Sequence, residues 1–222
     1  MKKRLIKVIL LAFFILCFNN KEVSAESITN KPEDTILNTT GKKLSDFIPK
    51  DWKLISKVKG DLNKDKRMDI AAVIEYTGEY SASDEEELSG KPRILFVIFK
   101  DKAGTYKLSV QSANLILRAG QGGVFGDPFA GMVISRGSIV VSLYGGSSWR
   151  WGYTYRFRYQ NKGWYLIGET EETHNINTGE TEIIDTNCLT GKQITTTSDI
   201  SGKEKVITHN IGKKKLINLL DF

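Results

Sequence analysis

The chain predicts an all-β fold with little helix, either an antiparallel β-sandwich or a curved, propeller-like β-meander. Two observations predict it. Apolar residues recur with a period of two, or run unbroken for five or six positions, and the gaps between these runs carry Gly, Asn and Asp turn chemistry. The four prolines, Pro32, Pro49, Pro92 and Pro128, all fall outside the runs, as strands require.

"WKLISKV" from Trp52 alternates, and "IAAVIEY" follows an acidic stretch. After the polar insert "TGEYSASDEEELSGKP" comes "RILFVIF", apolar without alternation, the pattern of a strand buried on both faces. "DKAG" turns the chain into "TYKLSVQS". "GMVIS" and "SIVVSLY" flank Arg136-Gly137, and "WRWGYTYRFRYQ" and "WYLIGE" flank Asn161-Lys162-Gly163, both hairpin signals. "TEIIDT", "KQITTTSD" and "KEKVITH" complete about eleven strands. Helix is expected only at "KLSDFI" and the terminal "KKKLINLLDF". No long period repeats, and a full propeller of four or more blades needs more strands than this.

Residues 1–25 read as a secretory signal peptide: a basic start at Lys2, Lys3 and Arg4, an apolar run from Val8 to Phe18, and the small-residue site Val23-Ser24-Ala25. The run is far shorter than the roughly 20 residues that span a bilayer. Lipidation at Cys17 is the weaker reading, because bulky Leu16 stands where a lipobox has a small residue. Loss of the peptide lowers the net charge from +6 to about +2, so the basic balance gives no case for nucleic-acid binding. Cys188 is then the lone cysteine, and no internal disulfide can form. Residues 26–43 are polar and lack periodicity, which predicts a flexible segment ahead of one β-rich domain at 44–222. The expected location is outside the cell or in its envelope, with no membrane span.

The strongest chemical signal is "GDLNKDKRMD", with side-chain oxygens at Asp61, Asn63, Asp65 and Asp69 and the Arg67 carbonyl between them. Calcium takes 6–8 oxygens, and alternate carboxylates in a short loop supply them. The stretch resembles the D-x-[DN]-x-D-x-x-x-D-[IL] calcium loop of FG-GAP and VCBS-type repeats, present here in one copy. That resemblance implies a structural calcium ion between two strands of a secreted β protein. Such loops often have Gly at the fourth and sixth positions, where this chain has Lys64 and Lys66. A left-handed non-glycine residue costs roughly 1 kcal/mol or more, and the lysines offset the carboxylates. The expected affinity is weak, about 10⁻⁴ to 10⁻³ M.

Further candidates are contacts rather than chemistry. In "SSWRWGYTYRFRYQ", Trp149, Trp151, Tyr153, Tyr155, Phe157 and Tyr159 share one strand face, and Arg150, Arg156 and Arg158 share the other. Most of that aromatic stripe reads as core. Trp149 and Arg150, beside the loop "YGGSS", are the candidate binding residues, together with Gln121 and Asp127 of the glycine-rich "RAGQGGVFGDPFAG". No P-loop, HExxH or G-x-S-x-G pattern is present. Glu169, Glu171, Glu172 and His174 form an acidic cluster in which paired carboxylates are a route to glycoside hydrolysis. The sequence therefore predicts a secreted, calcium-stabilised binding module for a cell-wall glycan, a peptide or an envelope protein. A carboxylate hydrolase is the alternative.

Overall fold

A computed structural model describes residues 32–79 and 90–222, so the signal peptide, Cys17 and most of the polar insert before Pro92 lie outside the described residues. Two antiparallel sheets pack as a sandwich that does not close into a barrel. Twelve strands form them: β1 (Thr40–Gly41), β2 (Trp52–Gly60), β3 (Asp69–Tyr76), β4 (Arg93–Lys100), β5 (Tyr106–Ser112), β6 (Phe129–Ser135), β7 (Ser138–Gly146), β8 (Trp149–Gln160), β9 (Gly163–Asn175), β10 (Thr181–Asn187), β11 (Lys192–Ser198) and β12 (Glu204–Asn210). The smaller sheet runs β1-β5-β4-β3-β2, and the larger is the meander β12-β11-β10-β9-β8-β7-β6. Every strand read from the sequence is present. The two stretches expected as helix form only 3₁₀ turns, Leu44–Phe47 and Leu219–Asp221. Among the described residues no helix is long and apolar enough to cross a membrane.

Alternation decides where the core sits. Ala71 and Val73 of β3 pair with Val97 and Leu95 of β4 on the face turned toward the larger sheet. There they meet Ile139, Val141 and Leu143 of β7, Phe157 of β8, and Trp164 and Leu166 of β9. The Trp164 indole N–H donates to Ser109 Oγ at 2.9 Å and ties the sheets together. The opposite face of the smaller sheet carries Ile70, Ala72 and Ile74 against Ile98, Phe96 and Ile94, all buried. Such a face must be covered, and the cover is the segment before β2. Leu37 and Phe47 are buried on it, Phe47 lies 6.4 Å from the Phe96 ring, and β1 pairs with β5. The Gln111 side chain donates to Thr35 O and accepts from Leu37 N, pinning the segment in place. Gly41 is required here, since a Cβ would run into the Phe47 ring. The second half of the stretch expected to be flexible is thus part of the fold.

The hairpin turns follow their sequences. Arg136 and Gly137 have φ 54° and 68°, and Asn161 and Lys162 have φ 50° and 60°, the positive pair that two-residue hairpins need. At the far side of the larger sheet, no residue of β10, β11 or β12 is buried. The chain end returns beneath β8, where Phe222 meets Tyr155 and Phe157 edge-on at 4.9 and 5.4 Å.

Candidate binding surface and acidic loop

The acidic loop joins β2 to β3. Lys64 and Lys66 both adopt φ 65°, the left-handed conformation in which Gly would carry no penalty. This curls the loop around its own oxygens. Asp61 accepts from Asp65 N at 3.0 Å and Lys66 N at 2.9 Å, Asn63 Oδ1 accepts from Asp65 N, and Asp65 Oδ1 accepts from Arg67 N. The Arg67 guanidinium pairs with the other Asp65 oxygen and reaches Lys100 O at 2.7 Å. Asp69 is fully buried, with one oxygen accepting from Leu62 N and the other from Lys100 N, both at 2.9 Å. Burial pushes its carboxyl up against the pull of those two amides. Among the described residues no three Asp, Glu, His or Cys side chains gather closely enough to hold a metal ion.

The glycine-rich stretch from Arg118 to Pro128 is held at both ends. At its base, Arg93 heads β4 and is buried. It donates to Asp127 through both terminal nitrogens at 2.7 Å, to Glu75 Oε2 at 2.6 and 2.8 Å, and to Leu117 O at 3.0 Å. Lys53 reaches the second Glu75 oxygen at 2.8 Å. Burial pushes the Glu75 carboxyl up, but Lys53 and Arg93 outweigh it and hold it below its ordinary value. The Arg93 bonds hold the Asp127 carboxyl low as well. Asp127, read as a contact residue, anchors the loop through Arg93 while its side chain stays half exposed. Gln121 caps the turn, accepting from Arg118 N at 2.8 Å.

Further along, the loop locks onto the tip of β7. Gly146 N donates to Gly122 O at 3.0 Å and Val124 N to Gly146 O at 3.1 Å. A Cβ at Gly122 would strike the Gly126 carbonyl, and one at Gly145 the Trp151 ring. Only glycine permits this approach. The lock places Phe125 5.2 Å from Tyr144 and beneath the Arg150 guanidinium at 5.0 Å.

Trp149 and Arg150 lie on two sides of the β8 tip. Strand alternation sends them to opposite faces of the larger sheet. Trp149, 55% exposed, borders an open groove of about 530 Å³ with Thr197, Asp199, Lys203 and Lys205. Arg150 lies on the other face with Tyr144 and Phe125. Its Nη1 donates to Tyr144 Oη at 3.3 Å, while its Nε is buried without an acceptor. Phe125 and Tyr144 are the members of this group that the sequence reading passed over. Their signal was weak: two aromatics beside glycines in separate segments.

On the Trp149 face, Tyr155 and Tyr153 pair directly with Glu169 and Glu171 of β9. The bulge at Ile167 puts these glutamates there, because it shifts the β9 register by one residue between Leu166 and Gly168. Glu172 and His174 fall on the opposite face, opposite Gly152 and Arg150. Burial, then the neighbouring Glu171 charge, raises the Glu169 carboxyl above its ordinary value. A raised carboxyl favours the folded state in its protonated form, so that contribution is whole below the ordinary glutamate pKa and is lost as pH rises through the folded-state value. Glu169→Gln should therefore raise the thermal midpoint at pH 7–8 and leave it unchanged near pH 4, read by unfolding across pH. Equal shifts at both ends would remove Glu169 ionisation as the cause.

No protein-family model, curated protein or solved structure matches this chain.

Proposed function

We propose that the chain is a secreted β domain, steadied by calcium at Asp61–Asp69, that works outside the membrane as a binding module for a cell-wall glycan, a peptide or an envelope protein. The observation that carries the binding reading is the built platform at the β7–β8 tip. Interlocked glycines and the bond of Asp127 to the buried Arg93 fix a loop whose Val124 and Phe125 side chains are left exposed, Phe125 beside Tyr144 and Arg150. Holding a loop this firmly stabilises little by itself, whereas a fixed surface lowers the ordering cost of binding.

Calcium is supported by donor chemistry and backbone shape. Asp61, Asn63 and Asp65 offer hard oxygens, Arg67 offers its carbonyl, and Asp69 keeps free lone pairs beyond its two amide bonds. The ion would take the place of the Arg67 guanidinium on Asp65. Thermal unfolding of residues 26–222 in EDTA and in millimolar calcium tests this. At 100 times its Kd, calcium adds about 2.7 kcal/mol, or several degrees in Tm. The shift should vanish in Asp65→Ala. Superimposable curves would remove calcium from the reading. Sedimentation with insoluble cell-wall material tests the module itself, and the absence of retention in either buffer would count against it.

A second reading rests on the half-buried Glu169 beside Glu171: a glycan hydrolase using the two as acid and base. Turnover of wall glycan that disappears in Glu169→Gln would favour it.

A further inference from the structure

Arg150 differs from Arg67, Arg93, Arg156 and Arg158. Arg93 has Glu75 and Asp127, Arg67 has Asp65, Arg156 reaches Ser135 O and Arg158 reaches Gln160. Among the described residues Arg150 alone of these five has no carboxylate, carboxamide or backbone carbonyl as an acceptor. Glu172, on the neighbouring strand and the same face, makes no ion pair with it, and its direct cross-strand partner is His174. Its one hydrogen bond, to Tyr144 Oη, is long at 3.3 Å. A cation held over an aromatic face is stabilised where it lies, so the Phe125 ring, 5.0 Å from Cζ, helps to hold the guanidinium without using its outer N–H donors. A preorganised planar fork with donors to spare matches one ligand chemistry above others, a carboxylate.

The surroundings narrow the carrier. Beneath the guanidinium lies Phe125, 43% exposed, and its chain neighbour Val124 is 75% exposed on the same locked loop. A sugar acid rings its carboxylate with hydroxyls, which would lose water against these apolar side chains without gaining acceptors. A peptide terminus instead sets an apolar side chain next to its carboxylate. We infer that the Arg150 platform captures the C-terminal carboxylate of a peptide, with Arg150 and Tyr144 as donors and the last side chain laid on Phe125. This deepens the binding-module reading and rests on it. The Trp149 groove, on the other face of the sheet, takes no part.

The test is a ¹⁵N NMR titration of residues 26–222 with N-acetyl-dialanine, its C-terminal amide and glucuronic acid. The acid should shift the Arg150 Nε–H and the Val124 and Phe125 amides saturably. The amide, lacking the charge-assisted bonds, should bind about 10- to 100-fold more weakly. Arg150→Gln should abolish the response with the remaining amide spectrum intact, and Tyr144→Phe, which keeps the arginine, should weaken it a few-fold. Equal binding of acid and amide, or an unchanged titration in Arg150→Gln, would overturn the site. Preferential binding of glucuronic acid would overturn the peptide as its source. Retention on cell-wall material that survives in Arg150→Gln would sink this inference while leaving the module reading in place.

Discussion

Arg93→Met should cost about 3–5 kcal/mol, because it strands a buried carboxylate rather than deleting a balanced pair. Glu75 would keep Lys53, but that lysine is largely exposed, and the two short Arg93 bonds would be gone. At this chain size the loss is roughly 6–20 °C in Tm. Arg93→Lys should recover only part of it, since an ammonium cannot hold two carboxylates and Leu117 O in one plane. The effect has a pH signature. Glu75 and Asp127 both titrate below their ordinary values beside Arg93. The clamp's contribution is thus whole above the ordinary carboxylate pKa and is lost as pH falls through the depressed values. The gap between wild type and Arg93→Met should narrow in acid, and a gap that stays constant from pH 7 to pH 2 would show that shape, not charge, matters at this position.

Phe47→Ala should cost a similar ~3–5 kcal/mol, the usual range for a buried phenylalanine. Its ring covers Phe96 and sits against Gly41. Truncation would loosen the segment from Leu37 to Ile48 and bare one face of β3 and β4, including Ile70, Ile74 and Ile94. Chemical denaturation reads the stability, and binding of a hydrophobic dye by the folded variant reads the uncovering. Ile36→Ala serves as the contrast. That side chain is 85% exposed, and its loss should stay within about 0.5 kcal/mol. A Phe47→Ala effect as small as that would mean the segment merely rests on the sheet.

Local chemistry was legible in the sequence; long-range partnership was not. The alternation of β2 and β8, the unbroken run of β4 and the turn residues at Arg136-Gly137 and Asn161-Lys162 each report on their own neighbours, and each strand stands where its pattern puts it. The strain at Lys64 and Lys66 was likewise visible in their positions within the loop. Alternation alone also separates Trp149 from Arg150. By contrast, nothing local says that Asp127 will find Arg93, 34 residues away. Nor does parity place Glu169 beside Tyr155, because the bulge at Ile167 breaks it. The cover over the smaller sheet was missed for a related reason. Leu44, Phe47 and Ile48 carry the i, i+3, i+4 spacing that gave the expectation of a short helix, but nothing local says that they and Leu37 are the apolar residues that a sheet buried on both faces requires nearby. The unbroken apolar run of β4 was the clue to them.

The two sheets differ in width, and stability should be graded across the larger one as a result. β7, the second half of β8 and the first half of β9 are clasped against the smaller sheet, so their amides should open only when the whole domain does. β10, β11 and β12 bury no residue and are held mainly by the ladder bonds that join each to the next. Such a margin can unzip from β12 inward as a separate cooperative unit while the remainder stays folded. The groove beside Trp149 is bordered by residues of that margin, Thr197 and Lys205, whereas the Arg150 platform is braced by β7 and the anchored loop. The two faces of the β8 tip therefore sit on ground of unequal firmness: one comes and goes with the fraying edge, and the other persists for as long as the fold does.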